Sequence, residues 1–138
     1  MKVVIDTNVF VSSVFGGRPR QVVALWFDGR VTLCLSEPIV KEYQRVLREI
    51  GAVSEREERV LMEAFASGEG VLYVNDPPRI EGVSSDPDDD KFLECALELG
   101  AESIVSGDSD LLELKSYMGM PILTPRTFLE RIGELPDG

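Results

Sequence analysis

Lys2-Val3-Val4-Ile5-Asp6-Thr7-Asn8 opens the chain with a short β-branched run that stops at an acid. Val and Ile are stiff at χ1 and fit a pleated surface, so Lys2 to Ile5 reads as a buried strand ending at Asp6. The same grammar recurs downstream. Val31 to Leu35, Val71 to Val74, Ser103 to Ser106 and Pro121 to Leu123 read as further strands. Helical stretches fall between them: Pro19 to Phe27, then Ser36-capped and Pro38-started to about Ile50, then Ser54 to Ala66. Asp88 to Leu99, ended by Gly100, Asp108 to Tyr117, and a last helix opened by Thr124-Pro125 and running to Ile132 complete the set. Asn75 to Pro87 is the longest loop. Strands alternating with helices imply an α/β fold whose parallel sheet is covered on both faces. In such sheets ligands bind outside the carboxyl ends of the strands, so the residues that follow each strand carry the functional question.

Acids gather at those positions. Asp6 follows the first strand and is either a turn former or helix cap, or a carboxylate projecting from the sheet edge. Glu42 lies in the helix after Ser36, on the border of a stripe formed by Val40, Tyr43, Leu47 and Ile50. It reads as a solvated partner of Arg45 or as an acid leaning into a cleft. In Asp86-Pro87-Asp88-Asp89-Asp90, an N-cap at Asp86 and Pro87 at the first helical position explain part of the run. They do not explain so many carboxylates in five residues, whose repulsion calls for a cation. Asp89 precedes Phe92 and Leu93 by three and four residues and so faces the core side, with Asp90 the near alternative. Ser106-Gly107-Asp108-Ser109-Asp110 ends another strand and returns a carboxylate to the same edge as Asp6. Together these hard oxygen donors suit Mg²⁺ or Mn²⁺.

Composition narrows the chemistry. The 138 residues fit one domain, 1–138, and 43% apolar content supplies a core. No apolar run reaches the roughly 18 to 20 residues of a membrane span, and the start lacks a secretory pattern, so a soluble cytoplasmic protein is expected. Cys34 and Cys95 lie in apolar stretches and read as buried free thiols. The chain has no histidine, which removes histidine-based triads, HExxH zinc sites and histidine general bases. A net charge of −11, from 25 acids and 14 bases, argues against loose electrostatic binding to nucleic acid. It remains compatible with acids that hold cations and with a basic protein partner.

In order and spacing, the segments Val4-Ile5-Asp6-Thr7-Asn8-Val9-Phe10, Ser36-Glu37-Pro38-Ile39-Val40-Lys41-Glu42-Tyr43, Asp86 to Ala96 and Ile104 to Leu112 resemble the PIN-domain family, particularly its VapC-like toxin branch. The resemblance spans nearly the whole chain. It implies a three-layer α/β/α sandwich with a mostly parallel sheet and a divalent-metal-dependent endoribonuclease leaving 5′-phosphates. By motif position it gives Asp6, Glu42, Asp89 and Asp108 the catalytic, metal-holding role. Thr7, Asn8, Ser106, Asp90 and Asp110 become supporting residues, Asp90 as the alternative third acid. Ser106 stands where the family often has threonine and keeps the hydroxyl. The resemblance also implies an RNA substrate, a homodimer and a cognate antitoxin whose basic segment could enter the acids, as in a type II toxin–antitoxin pair. Arg18, Arg20 and Arg30 are candidate RNA contacts.

Other classes fit less of the chain. A haloacid-dehalogenase-like phosphohydrolase also places Asp after its first strand, and Gly107-Asp108-Ser109 resembles one of its motifs. Asn8 then stands where that class has its acid, the chain is short for a cap, and no positioned lysine stands out. A receiver-type phosphoacceptor needs paired acids near the first strand, which are missing. A PIN-like module that only binds RNA or protein would not need all four acids.

Overall fold

In the computed structural model, which describes residues 1–135, β1 spans Lys2–Ile5 and α1, Thr7–Ser12, follows at once. Sequence reading assigned no helix there. Asp6 makes it: one carboxylate oxygen accepts the Val9 N–H at 2.9 Å, satisfying a donor that a helix start leaves orphaned. A 3₁₀ turn, Ser13–Phe15, leads into α2, Gly17–Phe27, and then β2, Thr32–Ser36. Next come α3, Glu37–Glu49, α4, Glu55–Ala66, and β3, Val71–Val74. After the long loop and a 3₁₀ turn at Pro87–Asp89 come α5, Asp90–Leu99, and β4, Ser103–Val105. The chain ends through α6, Ser109–Leu112, β5, Ser116–Tyr117, β6, Met120–Leu123, and α7, Pro125–Arg131.

Two local expectations change. The helix expected over Asp108 to Tyr117 stops at Leu112, because the chain turns back into an antiparallel β5–β6 hairpin. Tyr117 pairs with Met120, and the two residues between them, Met118 and Gly119, take φ of 49° and 83°. Positive φ at both central positions is the mirror-image turn that matches strand twist. Asn-Gly would announce it; Met-Gly does not. Ser36 precedes α3 as expected but makes no capping hydrogen bond, being drawn fully into the core as the last residue of β2.

The sheet order is β3-β2-β1-β4-β6-β5, parallel throughout except for β5. Winding proceeds outward from β1 through β2 to β3 and then restarts on the other side at β4. The switch point therefore lies between β1 and β4, where Ile5 pairs with Val105. That register sets Asp6 beside Ser106.

Helices cover both faces, giving a three-layer α/β/α sandwich. One layer is knit by an aromatic cluster with one ring each from α1, α2, α3 and α4: Phe10, Trp26, Tyr43 and Phe65. Phe10 and Tyr43 stack with centroids 4.3 Å apart. On the opposite layer α5 crosses β1, β2, β3 and β4, burying Phe92, Leu93 and Ala96. Cys34 and Cys95 are buried free thiols, as expected.

Tyr43 is fully buried and its hydroxyl donates to the carbonyl of Ile5, the residue before Asp6. This bond fixes α3 against the end of β1. Tyr43→Phe should cost about 1–3 kcal/mol, because it leaves a buried carbonyl without its donor. Urea denaturation measures this, and a loss too small to resolve would mean that the hydroxyl does not fix α3.

Candidate metal centre

Asp6 is buried, and donors meet it from several directions. Beyond the Val9 bond, its other oxygen accepts the Ser106 hydroxyl and, at 3.3 Å, the Gly107 N–H. Ser106, itself fully buried, accepts the Asp108 N–H at 2.9 Å. One hydroxyl thus ties the end of β1 to the start of α6. Burial raises the Asp6 pKa, the bonds from Ser106, Val9 and Gly107 pull it back, and the Asp108 charge raises it further.

Asp108 caps α6 by accepting the Asp110 N–H at 2.7 Å. Asp86 caps the 3₁₀ turn by accepting the Asp88 N–H at 3.0 Å, as its N-cap reading anticipated. Between these two lies Asp89, buried, with one carboxylate oxygen lacking any hydrogen-bond partner among the described residues. Each of Asp86, Asp89 and Asp108 offers an oxygen, and the three oxygens lie within 4.8 Å of one another. Burial pushes Asp89 up to about 7, and the charges of Asp108, Asp86, Asp6 and Asp110 add to the shift.

A divalent cation fits this donor set on two counts. The oxygens are hard carboxylate donors, and a buried carboxylate oxygen with no donor is costly until a positive charge meets it. The sequence reading cast Asp86 only as a cap. Its spacing three residues before Asp89 could have shown that both share one side of the turn.

The register question at the acidic run also acquires a geometry. Asp89 faces Asp108 and Asp86, whereas Asp90 turns aside to accept the Ser84 N–H at 3.2 Å. Asp110 accepts the Ser85 hydroxyl at 2.8 Å, which closes the long loop over the edge. Thr7 is buried with its hydroxyl oxygen unpartnered among the described residues, and Asn8 is exposed.

Glu42 is not part of the trio. One of its oxygens lies 2.9 Å from Lys91 Nζ, and the other is 3.9 Å from Arg45. The oxygen facing Lys91 is buried and makes no well-angled hydrogen bond, so charge attraction holds that pair. Lys91, on the first turn of α5, was not singled out by the sequence reading.

The arginines divide. Arg18 is exposed and bonds Gln21 at 3.2 Å. Arg20 donates to the carbonyls of Ser13 and Val14. Arg30 precedes β2 at the amino edge of the sheet and is paired with Glu134. The turn after α2 returns the chain to the strand's start, away from the acids.

Comparison with known proteins agrees with this layout. Residues 2–110 match the sequence family described as the PIN domain. The chain is 31% identical over 144 residues to the uncharacterized protein MJ1680 of Methanocaldococcus jannaschii, covering 94% of this chain and 90% of that one. Its fold is similar to the crystal structure of FitAcB from Neisseria gonorrhoeae, with a TM-score of 0.51 at 16% identity. That match covers 90% of this chain and 98% of the other.

The raised Asp89 pKa makes a stability prediction for the metal-free protein. Its folded value of about 7 exceeds the ordinary 3.8, so folding favours the protonated form. The resulting stability is fully present below about pH 4 and is lost as pH rises through 7. In chelator, Asp89→Asn should therefore gain on wild type as pH climbs from 4 to 7, with the difference level above that. Melting temperatures across this range test it, and parallel curves for the two proteins would show that Asp89 is not perturbed.

Proposed function

Because the chain belongs to the PIN-domain family, we propose that it is a divalent-metal-dependent endoribonuclease of the VapC-like branch. It acts as a single nuclease domain and as the toxin of a type II toxin–antitoxin pair. One observation carries the reading: Asp89, buried and with an unpartnered oxygen, brings a carboxylate oxygen within 4.8 Å of oxygens of Asp86 and Asp108 beside the switch point of a parallel sheet. In this reading Asp86, Asp89 and Asp108 hold Mg²⁺ or Mn²⁺, and Asp6 and Glu42 complete the acidic centre around them. When bound, the ion lowers the pKa of a water and neutralises charge developing on the phosphodiester.

The chain's own residues do the rest. Asp6 and Ser106 hold the loop that carries Asp108 against the end of β1, through their buried hydrogen bond. Asp110 holds Ser85 and so keeps the acidic loop against the edge. Thr7 and Asn8 supply polar groups at the start of α1, and Arg18 an exposed cation for the RNA backbone.

Partners follow the same reading. We assign the protein a cognate antitoxin, a homodimeric state and a cytoplasmic location. An apolar groove of about 440 Å³ along α2, α3 and α4, walled by Val23, Phe27, Leu47, Val53 and Leu61, gives a partner helix a surface to cover. Among the described residues no helix is long and apolar enough to cross a membrane.

A pool of structured RNAs incubated with and without Mn²⁺ or Mg²⁺ tests the activity. Cleavage should require the ion and fall about 100-fold or more in Asp6→Asn. Asp86→Asn should raise the Mn²⁺ concentration needed for half-maximal cleavage about tenfold. Cutting that persists in chelator, or that Asp6→Asn leaves intact, would refute the assignment.

A further inference from the structure

We propose that the free edge of β3 is a docking site for an extended, basic segment of a partner protein, which adds to the sheet as a further strand. None of the acidic centre's residues takes part, so this site stands apart from the metal-dependent reading.

β3 is the last strand on its side of the sheet, and among the described residues no strand covers its outer side. Its register against β2 is unbroken from Leu33–Val71 to Ser36–Val74, and the Leu33 N–H donates to the carbonyl of Gly70 at 2.8 Å. In a parallel ladder that bond turns the backbone groups of Leu72 and Val74 toward β2 and those of Val71 and Tyr73 outward. The Val71 N–H turns back to Gly68 at 3.5 Å, which leaves the Val71 carbonyl and both groups of Tyr73 for a neighbour. Proteins blunt such an edge with a lysine, a proline, a bulge or a very short strand. The opposite edge is treated this way: β5 has only two residues and follows Lys115. Val71-Leu72-Tyr73-Val74 carries none of these devices.

Beside the bare backbone lies an apolar hollow of about 400 Å³, walled by Val40, Met62, Phe65, Val71 and Tyr73. A strand laid along β3 offers alternate side chains to that side, so its backbone supplies affinity and the hollow selects an apolar residue. Charge decides which strand fits. Glu69 and Asp76, both exposed, flank β3 at its two ends. Lys41, the cation near Tyr73, is already paired with Glu37 at 2.7 Å. An apolar stretch with Lys or Arg on both sides matches the two acids, and the chain's net charge of −11 favours the same partner. A second copy matches poorly. Two-fold pairing of β3 with itself, centred on Leu72 or Tyr73, sets Glu69 of each copy within one position of facing Asp76 of the other. Like charges meeting across strands are destabilising.

Two peptides of alternating valine and threonine, one with two lysines at each end and one with two glutamates, are titrated into the isotope-labelled full chain and followed by amide NMR. The lysine-flanked peptide should bind at least about tenfold more tightly, shift the Tyr73 amide and slow its hydrogen exchange. Glu69→Lys combined with Asp76→Lys should cancel that preference. Tyr73→Pro removes an outward donor where an edge strand tolerates proline, and should weaken binding about tenfold. No binding of either peptide, or shifts confined to residues away from β3, would overturn the proposal. A preference that survives the double substitution would also overturn it, because net charge alone would then attract the peptide. So would self-association that Tyr73→Pro abolishes, since the edge would belong to a second copy. Each of these results leaves the RNA-cleavage test, and the nuclease reading, where they stand.

Discussion

A single buried carboxylate, Asp6, accepts hydrogen bonds from α1, from Ser106 and from the Gly107 backbone, and the active edge is organised around it. Burying a charge is costly unless donors surround it, and charge-assisted bonds are the ones strong enough to offset that cost. Here the donors come from the helix that follows β1 and from the residues that follow β4. Satisfying the charge therefore fixes the relative height of β1 and β4 and the start of α1 in one step. Tyr43 extends the same constraint to α3 by bonding the carbonyl immediately before Asp6. A local electrostatic need becomes a long-range alignment of elements.

The edge built this way works against its own stability. Asp86, Asp89 and Asp108 repel one another, and Asp89 carries the cost in a pKa of about 7. No local rule of helix or turn formation asks for this crowding. Capping explains Asp86 and Asp108, but not an acid buried between them with an oxygen left bare. Such local conflict is where functional sites are found, because binding supplies what folding withholds. The Glu42–Lys91 pair shows the other solution, a charge neutralised from within.

Sequence exposed this architecture unevenly, for physical reasons. β-branched runs at Lys2–Ile5 and Ser103–Val105 carry their strand signal locally, and so do the acids that follow them. The α4 helix lies where it was expected, and its capping box between Ser54 and Glu57 is a contact over only three residues. The β5–β6 hairpin escaped because Met118 adopts positive φ through tertiary context rather than by its own preference. Helical periodicity turned Asp89 toward the core, whereas Asp86, three residues earlier and on the same side of a 3₁₀ turn, was accounted for by its cap alone. Lys91 was invisible for a plainer reason: its partner lies on another helix, 49 residues earlier by the numbering of Glu42 and Lys91. The position of Arg30 before β2 was not legible, because a residue between two elements does not declare which edge of the sheet its turn occupies.

On the proposed nuclease reading, the acidity of the whole chain and the charge of an RNA substrate conflict only if electrostatics is judged globally. Screening in physiological salt limits exposed charges to about 8 Å, so most of the surface acids do not act at the catalytic edge. On that reading, what an incoming phosphate would meet is the local set, three gathered carboxylates and the cation they would hold. Without the cation the edge would repel RNA. With it, the same carboxylates would draw a phosphate there, since an ion held by several acids keeps open positions for further oxygens. Affinity for substrate is then conditional on the metal rather than spread over a basic face. This arrangement confines binding to the one place where chemistry follows. It would also let an acidic protein with no histidine act on a polyanion.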